Sequence, residues 1–127
     1  MDELIFLIPE TSVSMIKKIK NIESLALRKP IIYLAGPMSG KPDKNRAEFD
    51  KYDKLFSSYG FDVINVCKVE QDEELLLTWE EYLKRDLAYL SKCDCVVLLD
   101  GWKYSRGATL EHFIATQTGI EFRNKKY

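Results

Sequence analysis

The chain has 127 residues, of which 46% are hydrophobic and 31% are charged; this composition suits one folded domain and excludes a disordered chain. The length also argues against two domains that close on a substrate between them. Nineteen basic and twenty acidic residues give a formal net charge of -1, so we do not expect a polymeric nucleic acid partner, whose phosphates require excess positive charge. A small anionic ligand in one local pocket is compatible with this balance.

Residues 1–29 form a predicted N-terminal extension, and residues 30–127 form the predicted α/β domain. The start, Met1-Asp2-Glu3, is acidic, and the apolar run at 4–8 is too short for a signal peptide. No run approaches the roughly 18 apolar residues of a membrane helix, so we expect a cytoplasmic protein without a membrane partner. Apolar spacing near three predicts an amphipathic helix over 12–27, whose apolar stripe must be buried on its own domain or on a second subunit.

From residue 30 onward, short apolar runs alternate with helical patterns. The pattern predicts strands at 31–35, 61–66, 95–99 and 120–122, and helices over 45–59, 79–91 and 107–118. Gly60 is the predicted C-cap of the first of these helices, and Thr78 with Glu81 forms a predicted capping box at the second.

Strands that are apolar at successive positions are typical of sheets covered on both faces. The alternation therefore predicts an α/β fold, a doubly wound, Rossmann-like or flavodoxin-like parallel sheet of about four strands with flanking helices. Ligands bind beyond the carboxyl ends of the strands in such sheets. This rule selects three loops as candidate sites: 36–44, 66–77 and 100–107.

The first of these loops begins Gly36-Pro37-Met38-Ser39-Gly40. Its glycines allow backbone N–H groups to approach a ligand, but the spacing is neither that of a Walker loop nor that of a dinucleotide fingerprint. A βα turn that needs glycine for its dihedral angles explains the loop equally well.

Two carboxylates are candidates for acid and nucleophile chemistry. Glu111 is expected in or near the first turn of the last helix, where the helix dipole favours its ionised form; an ordinary first-turn glutamate is the alternative. Asp86 borders the apolar stripe of the 79–91 helix, where burial raises a pKa toward that of a general acid; a surface ion pair with Lys84 or Arg85 is the alternative. A retaining glycosidic mechanism places such groups about 5 Å apart.

Other reactive or aromatic residues have structural explanations. His112, which is the single histidine, lies about 100° around the helix from Glu111 and is expected to be structural or to support the site. Trp102 and Tyr104 either stack on a nucleobase or cover the core. The three cysteines, Cys67, Cys93 and Cys95, are expected to be buried structural thiols. We expect neither a bound metal nor a cofactor.

Three ordered blocks resemble the nucleoside 2-deoxyribosyltransferase superfamily, and more narrowly a branch of small bacterial and phage proteins within it. The blocks are YLAGPMSG at 33–40, WEEYLKRD at 79–86 and CVVLLDGWKYSRGATLE at 95–111. The resemblance covers about residues 30 to 122. It implies hydrolysis of the N-glycosidic bond of a (deoxy)nucleoside 5′-monophosphate or related nucleotide, with release of the base.

The resemblance also implies roles for individual residues. Glu111 matches the catalytic glutamate that attacks or stabilises C1′ of the sugar, Asp86 matches the aspartate that assists the departing base, and Tyr33 matches the tyrosine that positions the glutamate. Ser105 occupies a position where deoxyribosyltransferases carry an aspartate and the related 5′-monophosphate hydrolases carry a serine, which favours a nucleotide over a nucleoside. The predicted substrate-binding residues are Gly36, Pro37, Met38, Ser39, Gly40, Arg46, Asp100, Trp102, Ser105 and Gly107.

The first loop departs from those hydrolases, which favour a Gly-Ser start with a basic residue. Two alternatives stay open: a non-catalytic module that sequesters a nucleotide or a nucleotide-derived signal, and deoxyribosyl transfer between bases. Because 127 residues are few to enclose a nucleotide, we expect a homodimer or higher homo-oligomer in which a neighbouring subunit completes the pocket, as the resemblance implies. The 12–27 helix is a candidate for that interface.

Overall fold

A computed structural model describes residues 5–7, 16–17, 19–20, 29–72 and 77–118. The strands in this part of the chain are β1 (Ile5–Leu7), β2 (Ile31–Ala35), β3 (Asp62–Ile64) and β4 (Cys95–Leu98). The helices are α1 (Arg46–Ser58), α2 (Val66–Asp72), α3 (Trp79–Leu90) and α4 (Arg106–Thr118), with short 3-10 turns at Pro42–Asn45 and Trp102–Tyr104.

The strands form one parallel sheet in the order β1-β4-β2-β3. Tyr33, in the middle of β2, lies beside Val96 of β4 and Ile64 of β3. The chain leaves β2 through α1 to reach β3, and then returns past β2 through α2 and α3 to reach β4. Because parallel crossovers are right-handed, these two connections place α1 and α3 on opposite faces of the sheet.

The predicted α/β, Rossmann-like fold is therefore confirmed. The order of the strands reverses between β2 and β4, so the loops that follow these two strands diverge at the switch point of the sheet. Folds of this kind bind their ligands at that point. No helix in the described part of the chain has the length and apolar character needed to cross a membrane.

The strand predictions are confirmed at three positions, although β3 is shorter than predicted. The sheet gains a further strand at an unexpected place, because β1 pairs with β4 from Ile5 beside Val96 to Leu7 beside Leu98. The N-terminal extension thus supplies an edge strand to the domain. The strand predicted at 120–122 lies outside the described residues.

The predicted N-terminal helix also lies mostly outside the described residues, which include helical positions 16–17 and 19–20. Ile16 and Ile19 are buried in the same core cluster as the sheet. The Nζ atom of Lys20 donates a hydrogen bond to the backbone oxygen of Tyr59, 2.8 Å away. This part of the apolar stripe is therefore covered by the chain's own domain.

Helix boundaries follow the predicted caps at α1 and α3. Gly60 follows α1 with a φ of +86°, the left-handed conformation that glycine adopts at helix ends. At the start of α3, the backbone nitrogen of Thr78 donates to Oε1 of Glu81 at 3.0 Å, and the backbone nitrogen of Glu81 donates to Oγ1 of Thr78 at 3.2 Å. The capping box is confirmed.

The segment after β3 differs from the prediction. The sequence pattern predicts a strand through residue 66 followed by a loop to residue 77, whereas α2 begins at Val66. Asn65 causes the change, because its Oδ1 accepts a hydrogen bond from the backbone nitrogen of Cys67 at 3.1 Å and so caps the helix. The Nδ2 of Asn65 also donates to Asp50 and Asp53 on α1, at 3.0 and 3.1 Å. Because Val66 is apolar, the strand pattern continued through it and missed the start of this helix.

Candidate active site

Three buried polar side chains lie in the described part of the core: Asn65, Asp94 and Glu111. Asn65 caps α2, as described above. Asp94 lies just before β4, where its Oδ2 accepts a hydrogen bond from the backbone nitrogen of Ile31 at 2.9 Å. These two residues therefore hold the fold together, whereas Glu111 is bonded to another ionisable side chain.

Glu111 and Tyr33 form a buried hydrogen-bonded pair. Tyr33 extends from the fully buried centre of β2, and its hydroxyl donates to Oε2 of Glu111. Glu111 lies on α4, which packs against β2 and β4, and its exposed fraction is 6%. The pair thus lies next to the two strands that form the switch point of the sheet.

Burial raises the pKa of Glu111 to about 8, the hydrogen bond from Tyr33 lowers it, and the nearby charge of Asp86 raises it. The prediction that the helix dipole keeps Glu111 ionised is therefore wrong. Helix α4 begins at Arg106, so Glu111 lies beyond the first turn, where the dipole is weak and removal from water dominates. Burial also raises the pKa of Tyr33 well above its usual value, and the charges of Glu111 and Asp86 add to that rise.

Asp86 is the third ionisable group of the site and comes from α3, which packs against α4. The Nη2 and Nε atoms of Arg85 donate to its Oδ1 at 2.9 and 3.2 Å. The side chains of Arg85 and Asp86 are 15% and 14% exposed. An ion pair with Arg85, which was the alternative explanation for Asp86, is thus present, but it is a largely buried pair rather than a surface pair.

A cleft of about 270 Å³ opens beside Asp86. The loop after β2 and the start of α3 line this cleft with Met38, Ser39, Lys44, Leu77, Trp79, Tyr82 and Asp86. Cations lie against both of its aromatic rings. The Cζ atom of Arg106 is 3.8 Å from the ring centroid of Trp79, and Nζ of Lys44 is 6.0 Å from that of Tyr82. Two aromatic rings, a lysine and a carboxylate therefore line the cleft.

The structure brings together five of the predicted site residues. Met38, Ser39 and Asp86 line the cleft, and the charge of Asp86 reaches Tyr33 and Glu111 behind it. The other predicted binding residues lie outside the lining of this cleft: Gly36, Pro37, Gly40, Arg46, Asp100, Trp102, Ser105 and Gly107.

Several of those residues have local structural roles. The hydroxyl of Ser105 accepts a hydrogen bond from the backbone nitrogen of Ala108 at 3.2 Å and so caps α4. Gly36 lies where a Cβ atom would be 2.8 Å from Cβ of Leu99. Close packing between the ends of β2 and β4 therefore requires glycine at this position.

Trp102 and the three cysteines pack within the fold, whereas Tyr104 is 94% exposed. The ring of Trp102 lies 4.5 Å from the ring of His112, centroid to centroid, and Trp102 borders the core. This contact matches the packing alternative for Trp102 and the structural role expected of His112. The three cysteines are free and buried, as expected: Cys67, Cys93 and Cys95.

Four residues of the cleft were not named individually as site residues: Lys44, Leu77, Trp79 and Tyr82. Lys44 and Leu77 nevertheless lie in loops 36–44 and 66–77, which the sheet rule selects as candidate sites. A signal was available for two of them, because positions 79, 82 and 86 follow helical spacing and share one face of α3. For Lys44 the sequence selects only the loop, 36–44, and not the residue. Lys44 reaches the cleft from a turn in which residues 43–45 adopt left-handed φ values of 48°, 53° and 64°, and no pattern in this sequence predicts such a turn.

Comparison with known proteins identifies a family. Residues 30–123 match the model of a domain of unknown function, DUF4406. The chain belongs to the DUF4406 family. No curated protein and no solved structure matches it. The DUF4406 match begins at the predicted start of the α/β domain and includes Tyr33, Asp86 and Glu111 as well as the whole cleft lining.

Proposed function

We propose that this protein hydrolyses the N-glycosidic bond of a (deoxy)nucleoside 5′-monophosphate or a related nucleotide and releases the base. One observation carries the proposal: Tyr33 donates to Glu111, the charge of Asp86 acts on Glu111, and Asp86 lines a cleft that also contains two aromatic rings and a lysine. The resemblance of three sequence blocks to the nucleoside 2-deoxyribosyltransferase superfamily supports it, because these residues match the groups that act in that superfamily.

In the proposed reaction, the bond between C1′ and the base breaks, the protonated Asp86 carboxyl group gives its proton to the departing base, and the Glu111 carboxylate attacks or stabilises C1′. Water then adds to C1′ to form the free sugar phosphate, and its proton restores the proton held by the two carboxyl groups. These two roles require one proton to be shared between the carboxyl groups of Glu111 and Asp86. Two carboxyl groups close together in a buried site favour that state, because the second does not ionise readily beside the first. The hydrogen bond from Tyr33 stabilises the ionised form of Glu111.

The cleft chemistry favours a nucleotide as the substrate. The rings of Trp79 and Tyr82 offer faces on which a base can stack, and the Lys44 ammonium group suits a phosphate. Since the whole chain has a formal net charge of -1, this positive charge is a local feature. It fits a single small anion rather than a nucleic-acid strand.

One incubation tests the proposal against its two rivals. The purified protein is mixed with nucleosides, 5′-monophosphates and dinucleotides, with and without free adenine, and the products are identified by mass spectrometry. We expect free base and sugar phosphate from a monophosphate without added base. If no member of the panel releases a base, the hydrolase proposal is wrong. Recovery of an intact bound ligand indicates sequestration, and base exchange that requires added adenine indicates transfer.

A variant of the cleft lysine tests the substrate class. Lys44→Met removes the positive charge from the cleft, and loss of one charge-assisted contact costs about 1.5–3 kcal/mol. We expect kcat/KM for the monophosphate to fall by about 10- to 100-fold while that for the corresponding nucleoside changes little. Lys54→Met, an exposed residue of α1, is the matched control. Equal losses for both substrates contradict a phosphate role for Lys44.

We also propose that a second copy of the chain completes the cleft. Leu110, Phe113 and Ile114 form an exposed apolar stripe on α4, with exposed fractions of 38%, 59% and 38%, on the helix that also carries Glu111. Such a stripe suits a two-fold contact between identical chains. Light scattering at micromolar concentration should show a dimer or larger oligomer, and Phe113→Lys should weaken both assembly and activity. A fully active monomer contradicts this part of the proposal.

A cytoplasmic location belongs to the same proposal, because free nucleotides are metabolised there. Fractionation of cells that express the full chain tests it directly. Recovery in the membrane or secreted fraction contradicts it.

A further inference from the structure

Arg85 lies directly against Asp86 in the candidate active site. Two donors of its guanidinium group, Nη2 and Nε, contact the same carboxylate oxygen at 2.9 and 3.2 Å. Both side chains are largely buried, so water screens this contact only weakly. Paired donors of this kind hold the oxygen in place and favour negative charge on it.

The guanidinium group is itself fixed in the site. Its Cζ atom lies 5.1 Å from the ring centroid of Tyr82, which lines the cleft. Arginine does not lose its proton in proteins, so Arg85 keeps its positive charge at every pH at which the fold is stable. Asp86 therefore lies beside a permanent cation.

Glu111 has a different environment. It is more deeply buried than Asp86, and its hydrogen-bond donor is the neutral hydroxyl of Tyr33 rather than a cation. When two such groups compete for one proton, the group beside the cation ionises first. The two carboxyl groups of the site therefore differ in how readily they ionise, because a cation contacts Asp86 and a neutral hydroxyl contacts Glu111.

The other charged and titratable groups near the pair come from each neighbouring element. Lys44 lines the cleft together with Asp86, the ring of His112 packs on Trp102, and Arg106 stacks on Trp79. Among the described residues, these groups are, by element, Tyr33 on β2, Lys44 in the following loop, Tyr82 and Arg85 on α3, Cys93 before β4, and Arg106 and His112 on α4. Arg85 donates two hydrogen bonds to Asp86.

We infer that Arg85 is a positioning residue that assigns the negative charge of the pair to Asp86 and the proton to Glu111 in the free protein. The inference deepens the proposed function and rests on it for its catalytic meaning. Before the base is released, that proton must pass from Glu111 to Asp86 or to the base, which leaves Glu111 as the carboxylate that meets the sugar. The resting site is thus one proton transfer away from its reactive form.

Carbon-13 NMR of the full chain, labelled at the Asp and Glu carboxyl carbons, tests the inference without substrate. Glu111→Gln and Asp86→Asn identify the two signals. In the wild-type protein, we expect the Glu111 signal to titrate in one step near pH 8 and the Asp86 signal to titrate at lower pH. In Arg85→Met, we expect the two groups to share the first ionisation, so the Glu111 signal should move in two steps.

Matched variants separate charge from packing. Arg85→Lys keeps a cation and should keep the single step, and Lys84→Met at the neighbouring exposed position should leave the titration unchanged. Arg85→Gln repeats the test if the methionine variant does not fold. A single step near pH 8 in folded Arg85→Met or Arg85→Gln, or two steps in the wild-type protein, overturns the inference.

The proposed function and this inference fail in different ways. The titration uses no substrate, so an absence of base release rejects the hydrolase while the charge assignment can still be measured. Conversely, an active enzyme whose Glu111 titration does not respond to Arg85 rejects the inference alone.

Discussion

Glu81 and Glu111 both lie on helices and both share hydrogen bonds with a hydroxyl-bearing residue, yet their pKa values move in opposite directions. Glu81, at the start of α3, is exposed, and hydrogen bonds with the backbone and side chain of Thr78 lower its pKa. Glu111 accepts a hydrogen bond from Tyr33, but burial raises its pKa to about 8. The hydrogen-bond partners are similar, so the opposite pKa shifts come from the burial of Glu111 away from water.

Glu81 stabilises the fold, whereas Glu111 reduces its stability. The capping box satisfies backbone groups that a helix start leaves unpaired. The buried Glu111 instead carries a desolvation cost that its phenol partner offsets only in part. Stability given up at one buried ionisable group is typical of a functional site.

The largest expected effect is on activity. Glu111→Gln keeps the volume of the side chain but removes the carboxylate, so release of base should fall by at least 10²- to 10⁴-fold. Glu81→Gln is the matched control and should retain wild-type activity, because Glu81 lies outside the cleft lining. Base release that survives in Glu111→Gln would show that this carboxylate does not act on the sugar.

The second effect is on the pH dependence of stability. The folded protein raises the pKa of Glu111 from 4.5 to about 8, so its contribution to the free energy of unfolding is full below pH 4.5 and is lost as the pH rises to about 8. At about 1.4 kcal/mol per pKa unit, the loss amounts to a few kcal/mol.

Urea unfolding at pH 5 and pH 8 measures this change. The wild-type protein and Glu81→Gln should both lose stability between these values, and Glu111→Gln should lose less. Parallel losses in all three proteins would mean that Glu111 ionises normally in the folded state.

The third effect concerns the partner of Glu111. Tyr33→Phe removes the hydrogen bond that lowers the pKa of Glu111, so that pKa should rise by about one further unit. The Glu111 carboxyl signal in carbon-13 NMR reports the change directly. A pKa that stays the same or falls would contradict the role assigned to the Tyr33 hydroxyl.

The smallest effect concerns the capping box. Thr78→Ala removes the side chain that caps α3, which should cost about 1 kcal/mol of unfolding free energy and let the pKa of Glu81 rise toward its usual value. Thr116→Ala, at an exposed position inside α4, is the control and should change stability less. Equal effects of the two substitutions in urea unfolding would mean that the cap adds nothing to stability.

Local sequence patterns predicted much of the framework. The apolar runs located β2 and β4, and helical spacing with the Thr78 and Glu81 signals located α3, because these features depend on residues close together in the chain. The residue pattern also singled out Asp86 and Glu111, and the resemblance to a known superfamily added Tyr33. In the structure, Tyr33 donates to Glu111 and the charge of Asp86 acts on both. The strand pattern failed at Asn65, where a polar cap followed by an apolar residue begins a helix rather than extending β3.

Only the tertiary structure decided the character of the site. The pairing of β1 with β4, the approach of Lys44 to Tyr82 and the contact of Arg106 with Trp79 join residues that are distant in sequence. The protonation state of Glu111 is the clearest example, since the sequence predicted an ionised first-turn glutamate. Burial against β2 reverses that prediction, because a pKa depends on surrounding water and charge, which only the packed structure determines.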